Sequence, residues 1–146
     1  MQRQPEDIFR SRVPHSIYVS TESGELGVVL QDLGYVRDGG YGFTSGTYLL
    51  GSNRNHAITA VVNDLDLQEA LLKQQEFGFH PQSRIILNSN GNQQSYEQNA
   101  LRLVAALAKQ GQWFAVYGLS EPYVHREEDW KKPKILQEVR RQCSRR

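Results

Sequence analysis

The stretch "AITAVVNDLDLQEALLKQQEFGFHPQSRIIL", Ala57 to Leu87, decides the fold class. It opens on "AITAVV", an apolar and β-branched run that predicts a buried strand over Ala57–Val62. A helix follows. Asp66 with Glu69 three residues on makes a capping box, Leu65 and Ala70 can staple across it, and Gly78 stands where a helix stops. "RIIL" (Arg84–Leu87) is a second short apolar strand. Strand, helix and strand in that order read as a βαβ unit with parallel strands.

Outward from this unit the alternation continues. On the N-terminal side, "SIYVS" (Ser16–Ser20) predicts a strand, and "ELGVVLQDLG" a helix whose Leu26, Val29, Leu30 and Leu33 share a face, closed by Gly34. Gly27 inside that helix costs propensity. Six of the twelve glycines lie between Gly34 and Gly51, and "DGGYGF" there predicts a hairpin with Tyr41 and Phe43 on one face, before "TYLL". On the C-terminal side, "SYEQNALRLVAALAKQG" is the best helix of the chain. Ser95 and Gln98 make its capping box, Ala100, Val104, Leu107 and Ala108 its apolar stripe, and Gly111 its stop. "WFAVYG" (Trp113–Gly118) predicts a last strand and "PKILQEVRRQ" a short basic helix opened by Pro133. The expectation is a single α/β domain over residues 1–130. It has a mainly parallel or mixed sheet of about five strands, helices packed on it and a glycine-rich hairpin, followed by a basic helix or tail over residues 131–146.

Composition narrows the setting. A chain of 146 residues suits one core. Cys143 is the only cysteine, so no internal disulfide forms. The first residues, "MQRQPEDIFRSR", carry no apolar run, and "LVAALA" falls far short of the ~20 residues that span a bilayer. A cytoplasmic protein with no membrane segment is expected. Residues 131–146 hold seven basic residues against Glu138 alone, a net of +6; the whole chain carries +1, which leaves −5 on the rest. Such a tail can meet nucleic acid or an acidic protein.

In open α/β sheets, ligands bind beyond the carboxyl ends of the strands. Were the strands parallel, Asp64, the loop from Asn88 to Ser95, and Ser120 with Glu121 would share one rim. The loop joins a strand to a helix N-terminus, where free amides favour an anion, and Asn88, Asn90, Asn92 and Ser95 offer amide and hydroxyl groups to it. Its single Gly91 and lack of lysine exclude a P-loop and a dinucleotide fingerprint, so no cofactor is expected. The histidines show no metal spacing. His125, in "EPYVHREEDW", is either a general acid or base or part of a solvated acidic loop.

Two short resemblances add to this. "GGYGF" (Gly39–Phe43), with "IYV" (Ile17–Val19) upstream, resembles the two signatures of RNA-recognition motifs. The resemblance implies that Tyr18, Tyr41 and Phe43 stack bases on a sheet. Gly39 stands where that family has a basic residue, and Gly46 where it has an aromatic one. "RQPEDIF" and "YVST" are similar to fragments of ADP-ribosylating toxins, which implies Arg3 and Ser20 at a nucleotide site; the toxins' Glu-x-Glu is absent. The reading that unites these features is a binding or regulatory module for nucleic acid or a nucleotide-like anion. Its ligand-binding residues would be Tyr41, Phe43, Asn88, Asn90, Asn92, Ser95 and Glu121. The alternatives are a small transferase or hydrolase working through Asp64, Glu121 or His125, and a protein-interaction module of the inhibitor or immunity type.

Overall fold

A computed structural model describes residues 8–10, 14–39, 45–51, 58–89, 93–118 and 122–126. The elements run β1 (His15–Val19), α1 (Ser23–Asp32), β2 (Val36–Gly39), β3 (Ser45–Leu50), β4 (Ile58–Asp64), α2 (Leu67–Phe77), β5 (Ser83–Ser89), α3 (Gln93–Lys109), β6 (Phe114–Tyr117) and β7 (Tyr123–His125). The strands form one sheet in the order β2-β3-β4-β5-β1-β6-β7.

Every neighbouring pair in this sheet is antiparallel. This corrects the expectation of a mainly parallel or mixed sheet of about five strands. The unit from Ala57 to Leu87 is where the reading fails. α2 does join β4 to β5, but it reverses the chain, so Ala60 pairs with Leu87 and Asn63 with Arg84 in an antiparallel ladder. The strands β5 and β6, joined by α3, run the same way, yet β1 lies between them and pairs with both. The run "AITAVV" misled because a strand buried on both faces is continuously apolar. Here Ile58, Ala60 and Val62 are buried while Thr59 and Val61 are only half-buried. That is the alternation of a sheet covered on one side, written in apolar letters. Two short strands, β2 and β7, fall where the sequence suggested a turn and an acidic loop.

The helices α1 and α3 cover one face. Leu26, Val29 and Leu30 of α1 and Tyr96, Ala100, Leu103, Val104 and Leu107 of α3 pack against Ile17, Val19, Ile58, Val62, Ile85, Leu87, Phe114 and Val116 of the sheet. The hydrophobic effect at these positions is the main term holding the fold. Gly27 lets α1 approach Tyr48 of β3, whose hydroxyl lies where a Cβ would project. On the opposite face α2 closes only one end, with Tyr18, Phe77, Phe79 and Ala115 as a small second core.

Local signals in the sequence hold better than the topology. The Asp66 side chain accepts from the Glu69 amide at 2.8 Å, and Gly78 adopts φ 76°, the left-handed cap that ends α2. Gly34 and Gly111 also have positive φ. The opening of α3 differs: it starts at Gln93, so Ser95 is its third residue rather than its cap.

Candidate ligand-binding face

The antiparallel register splits the expected common rim. β1 and β4 run one way, so Ser20, Thr21, Glu22 and Asp64 end on one edge. β5 runs the other way, which puts Asn88 at the opposite edge. His125 lies at the same end as Ser83 and Phe114, but inside. It is buried, with its ring stacked on Phe114 at 4.7 Å between centroids, and it is no part of a solvated loop. Asp64, Asn88 and His125 therefore do not converge.

The rim bearing Asp64 is built as structure. An Asp64 Oδ1 accepts from the Ser23 amide at 2.9 Å, so this carboxylate holds the first turn of α1. Thr21 donates to Glu25 at 2.7 Å. Ser20 Oγ donates to Gln112 at 2.8 Å and accepts from the Trp113 amide at 3.0 Å, a tie between strand ends. A shallow cleft of about 340 Å³ lies beside them, lined by Glu22, Asp64, Leu67, His80 and Gln82. His80 in it bonds Gln74 at 2.9 Å. Among the described residues, no group of His, Cys, Asp and Glu is placed to hold a metal.

A second surface, open among the described residues, belongs to the sheet. Beyond the shadow of α2, a row of side chains on the face away from α1 and α3 runs Thr47, Val61, Ile86, Ser16, Tyr117, one from each strand from β3 to β6. A second row runs Val36, Leu49, Thr59, Asn88. All nine are half-buried or exposed. The mixture of small hydroxyls, aliphatic groups, one amide and one phenol is neither a core nor a solvated surface.

Two ion pairs, one on α2 and one between α2 and β5, border these rows. The Lys73 ammonium stands 5.1 Å from the Tyr117 ring centroid and 5.3 Å from that of Tyr18, with Glu76 Oε2 at 3.2 Å. Burial opposes the charge of Lys73, but the Glu76 hydrogen bond and the neighbouring Tyr18 and Tyr117 outweigh it and raise its pKa. Arg84 of β5 pairs with Glu69 at 3.1 Å and lies over Tyr18.

Of the residues expected at a site, Asn88 is on this face, with its Oδ1 accepting from the Ser89 amide at 2.9 Å. Ser95 is on α3, whose stripe packs the other face, and its carbonyl accepts from Asn99. Tyr18, implied as a base-stacking residue, is buried under α2 with Phe77 at 5.4 Å and cannot present its ring to a ligand. Tyr41, Phe43, Asn90, Asn92, Ser120, Glu121, Arg3 and residues 131–146 lie outside the described residues. Sequence reading missed Tyr117, Ser16, Ile86 and Lys73. Alternation in "FAVYG" separates Tyr117 from Val116, but only the register shows which face is open. Neither the family models, the curated proteins nor the solved structures give any match to this chain.

Proposed function

We propose that the protein is a non-catalytic binding module that takes a single nucleic-acid strand, or at its simplest a nucleotide-like anion, over the open part of its sheet. The observation that carries this reading is the Tyr117–Lys73 pair bordering the rows of Ser16, Thr59 and Asn88. A phenol ring on a flat sheet can stack a base, an ammonium beside it can meet a phosphate, and hydroxyl and amide groups can meet sugar and base edges. The +6 of residues 131–146 would add sequence-independent attraction that falls with salt.

The test is fluorescence anisotropy with a labelled single-stranded oligonucleotide at two ionic strengths. Tyr117→Ala is expected to weaken binding by about 1–3 kcal/mol, with little change in melting temperature because Tyr117 is 36% exposed. Binding that is absent, or indifferent to Tyr117, would refute the reading.

A small transferase or hydrolase is the second reading. The cleft that brings Glu22, Asp64 and His80 together favours it, since two carboxylates and an imidazole can divide acid and base roles. It would be supported by nucleotide turnover that His80→Gln abolishes.

A further inference from the structure

The outer side of α2 carries a feature that neither the core nor the open sheet face uses. The helix buries only Ala70 and Phe77. Leu67, Leu71 and Leu72 are 71%, 49% and 61% exposed. Leu67 and Leu71 are four apart and so share one stripe of the helix; Leu72 stands about 100° further round, with Gln68 and Gln75 between. Three exposed leucines on an 11-residue helix form a ridge, broken by two amides, with nothing over it among the described residues. The ridge is weakly acidic at its margins: Asp64, Asp66, Glu69 and Glu76 stand against Lys73, which pairs with Glu76, Arg84, which pairs with Glu69, and Arg126 at the helix end, a net of −1.

The described chain leads to the C-terminal end of the same helix. Past β7, the Arg126 guanidinium donates to the carbonyl of Phe77 at 3.2 Å, at the C-terminal end of α2, where the helix dipole favours a cation. A Cβ on Gly78 would meet the same guanidinium at 2.7 Å, so Gly78 makes room for it. Residues 127–146, twenty in number, follow from that point. After the acidic Glu127, Glu128 and Asp129, the sequence from Lys131 on is basic and carries an apolar stripe of its own. Ile135, Leu136 and Val139 fall at i, i+1 and i+4, one stripe at helical spacing, and Cys143 extends it by another turn. Around the stripe stand Lys131, Lys132, Lys134, Arg140 and Arg141. Ten residues at helical rise span about 15 Å, close to the length of α2, and the residues before Pro133 are ample as a connector.

We propose that the Leu67–Leu71–Leu72 ridge of α2 is the docking surface for residues 131–146 of the same chain. Ile135, Leu136 and Val139 cover the leucines, and the basic residues pair with the acidic margins. The net +6 of the segment exceeds the charge of these margins and leaves a positive surplus beside Lys73 and Tyr117, so the docked segment would also lend charge to the open sheet face. The docking itself does not depend on the nucleic-acid reading.

Cys143, the only cysteine, allows a test on the full chain. A nitroxide spin label on Cys143 should broaden the amide signals of residues 67–76 in an NMR spectrum, most strongly around Leu71 and Leu72. Leu71→Glu should abolish the broadening, whereas Val28→Glu, on the outward side of α1, should leave it. Raised salt should weaken it. Three results would overturn the proposal. One is no broadening on α2. Another is broadening unchanged by Leu71→Glu. The third is broadening that appears only between isotope-labelled and spin-labelled molecules in a mixture, which would make the occupant a second copy.

Discussion

At the scale of single residues, Gly27 and His15 show how side chains set limits on the fold. Glycine costs a helix interior about 1 kcal/mol relative to alanine, so Gly27 reads in the sequence as a flaw in α1. Its reason is across the core, in the Tyr48 hydroxyl that occupies the space of a Cβ. Because Tyr48 is buried within the main core, Gly27→Ala should destabilise the protein by about 1–3 kcal/mol from overpacking, less the propensity gained. Removing the hydroxyl in Gly27→Ala/Tyr48→Phe should recover most of that loss in a urea titration. A single mutant as stable as wild type would mean that α1 does not sit this close to β3.

His15 is fully buried, bonded through Nδ1 to the Tyr96 hydroxyl at 2.6 Å and stacked on the Tyr96 ring. Burial depresses its pKa below the ordinary histidine value, against a backbone hydrogen bond with Ile8 that acts in the other direction. The unfolded chain therefore takes up this proton first as pH falls. The stability associated with neutral His15 is fully present above about pH 6.5 and is lost as pH drops from there toward the lower folded-state pKa. His15→Gln, which lacks the titration and can still bond Tyr96, should flatten the urea-unfolding free energy over that range. An unchanged slope would assign it to another group.

At the scale of elements, the caps and stops were legible because they are local. Asp66 with Glu69 announced α2, and the structure has that hydrogen bond. Asp66→Ala should cost about 1 kcal/mol, measured as a shift in urea midpoint with the slope retained. The same logic failed at Ser95, since a capping box is a pattern of four residues and α3 begins two residues before it, at Gln93. Asp64 shows the other limit. Its partner, the Ser23 amide, lies 41 residues away, so no local pattern could mark it as the group that steadies the start of α1. β2 and β7, of four and three residues, are too short for periodicity to declare them.

At the scale of the whole molecule, strand direction was the information the sequence did not carry. Helices between strands argue for parallel neighbours only when the joined strands lie side by side with nothing between. Here β1 lies between β5 and β6, and α2 returns β5 antiparallel to β4. With direction went the site: Asn88 and Asp64 part to opposite edges, and the open face is assembled from single residues of separate strands. No stretch of sequence contains that face, because Ser16, Ile86 and Tyr117 become neighbours only through the ladder.

The most direct measurement is an amide chemical-shift map of the protein titrated with a short single-stranded oligonucleotide. Shifts concentrated on Ser16, Thr59, Val61, Ile86, Asn88 and Tyr117, with Lys73 at their border, are the expected result. Their size should fall as salt is raised. Shifts confined to Glu22, Asp64, His80 and Gln82, or no shifts at low salt, would contradict a nucleic-acid site on the open sheet face.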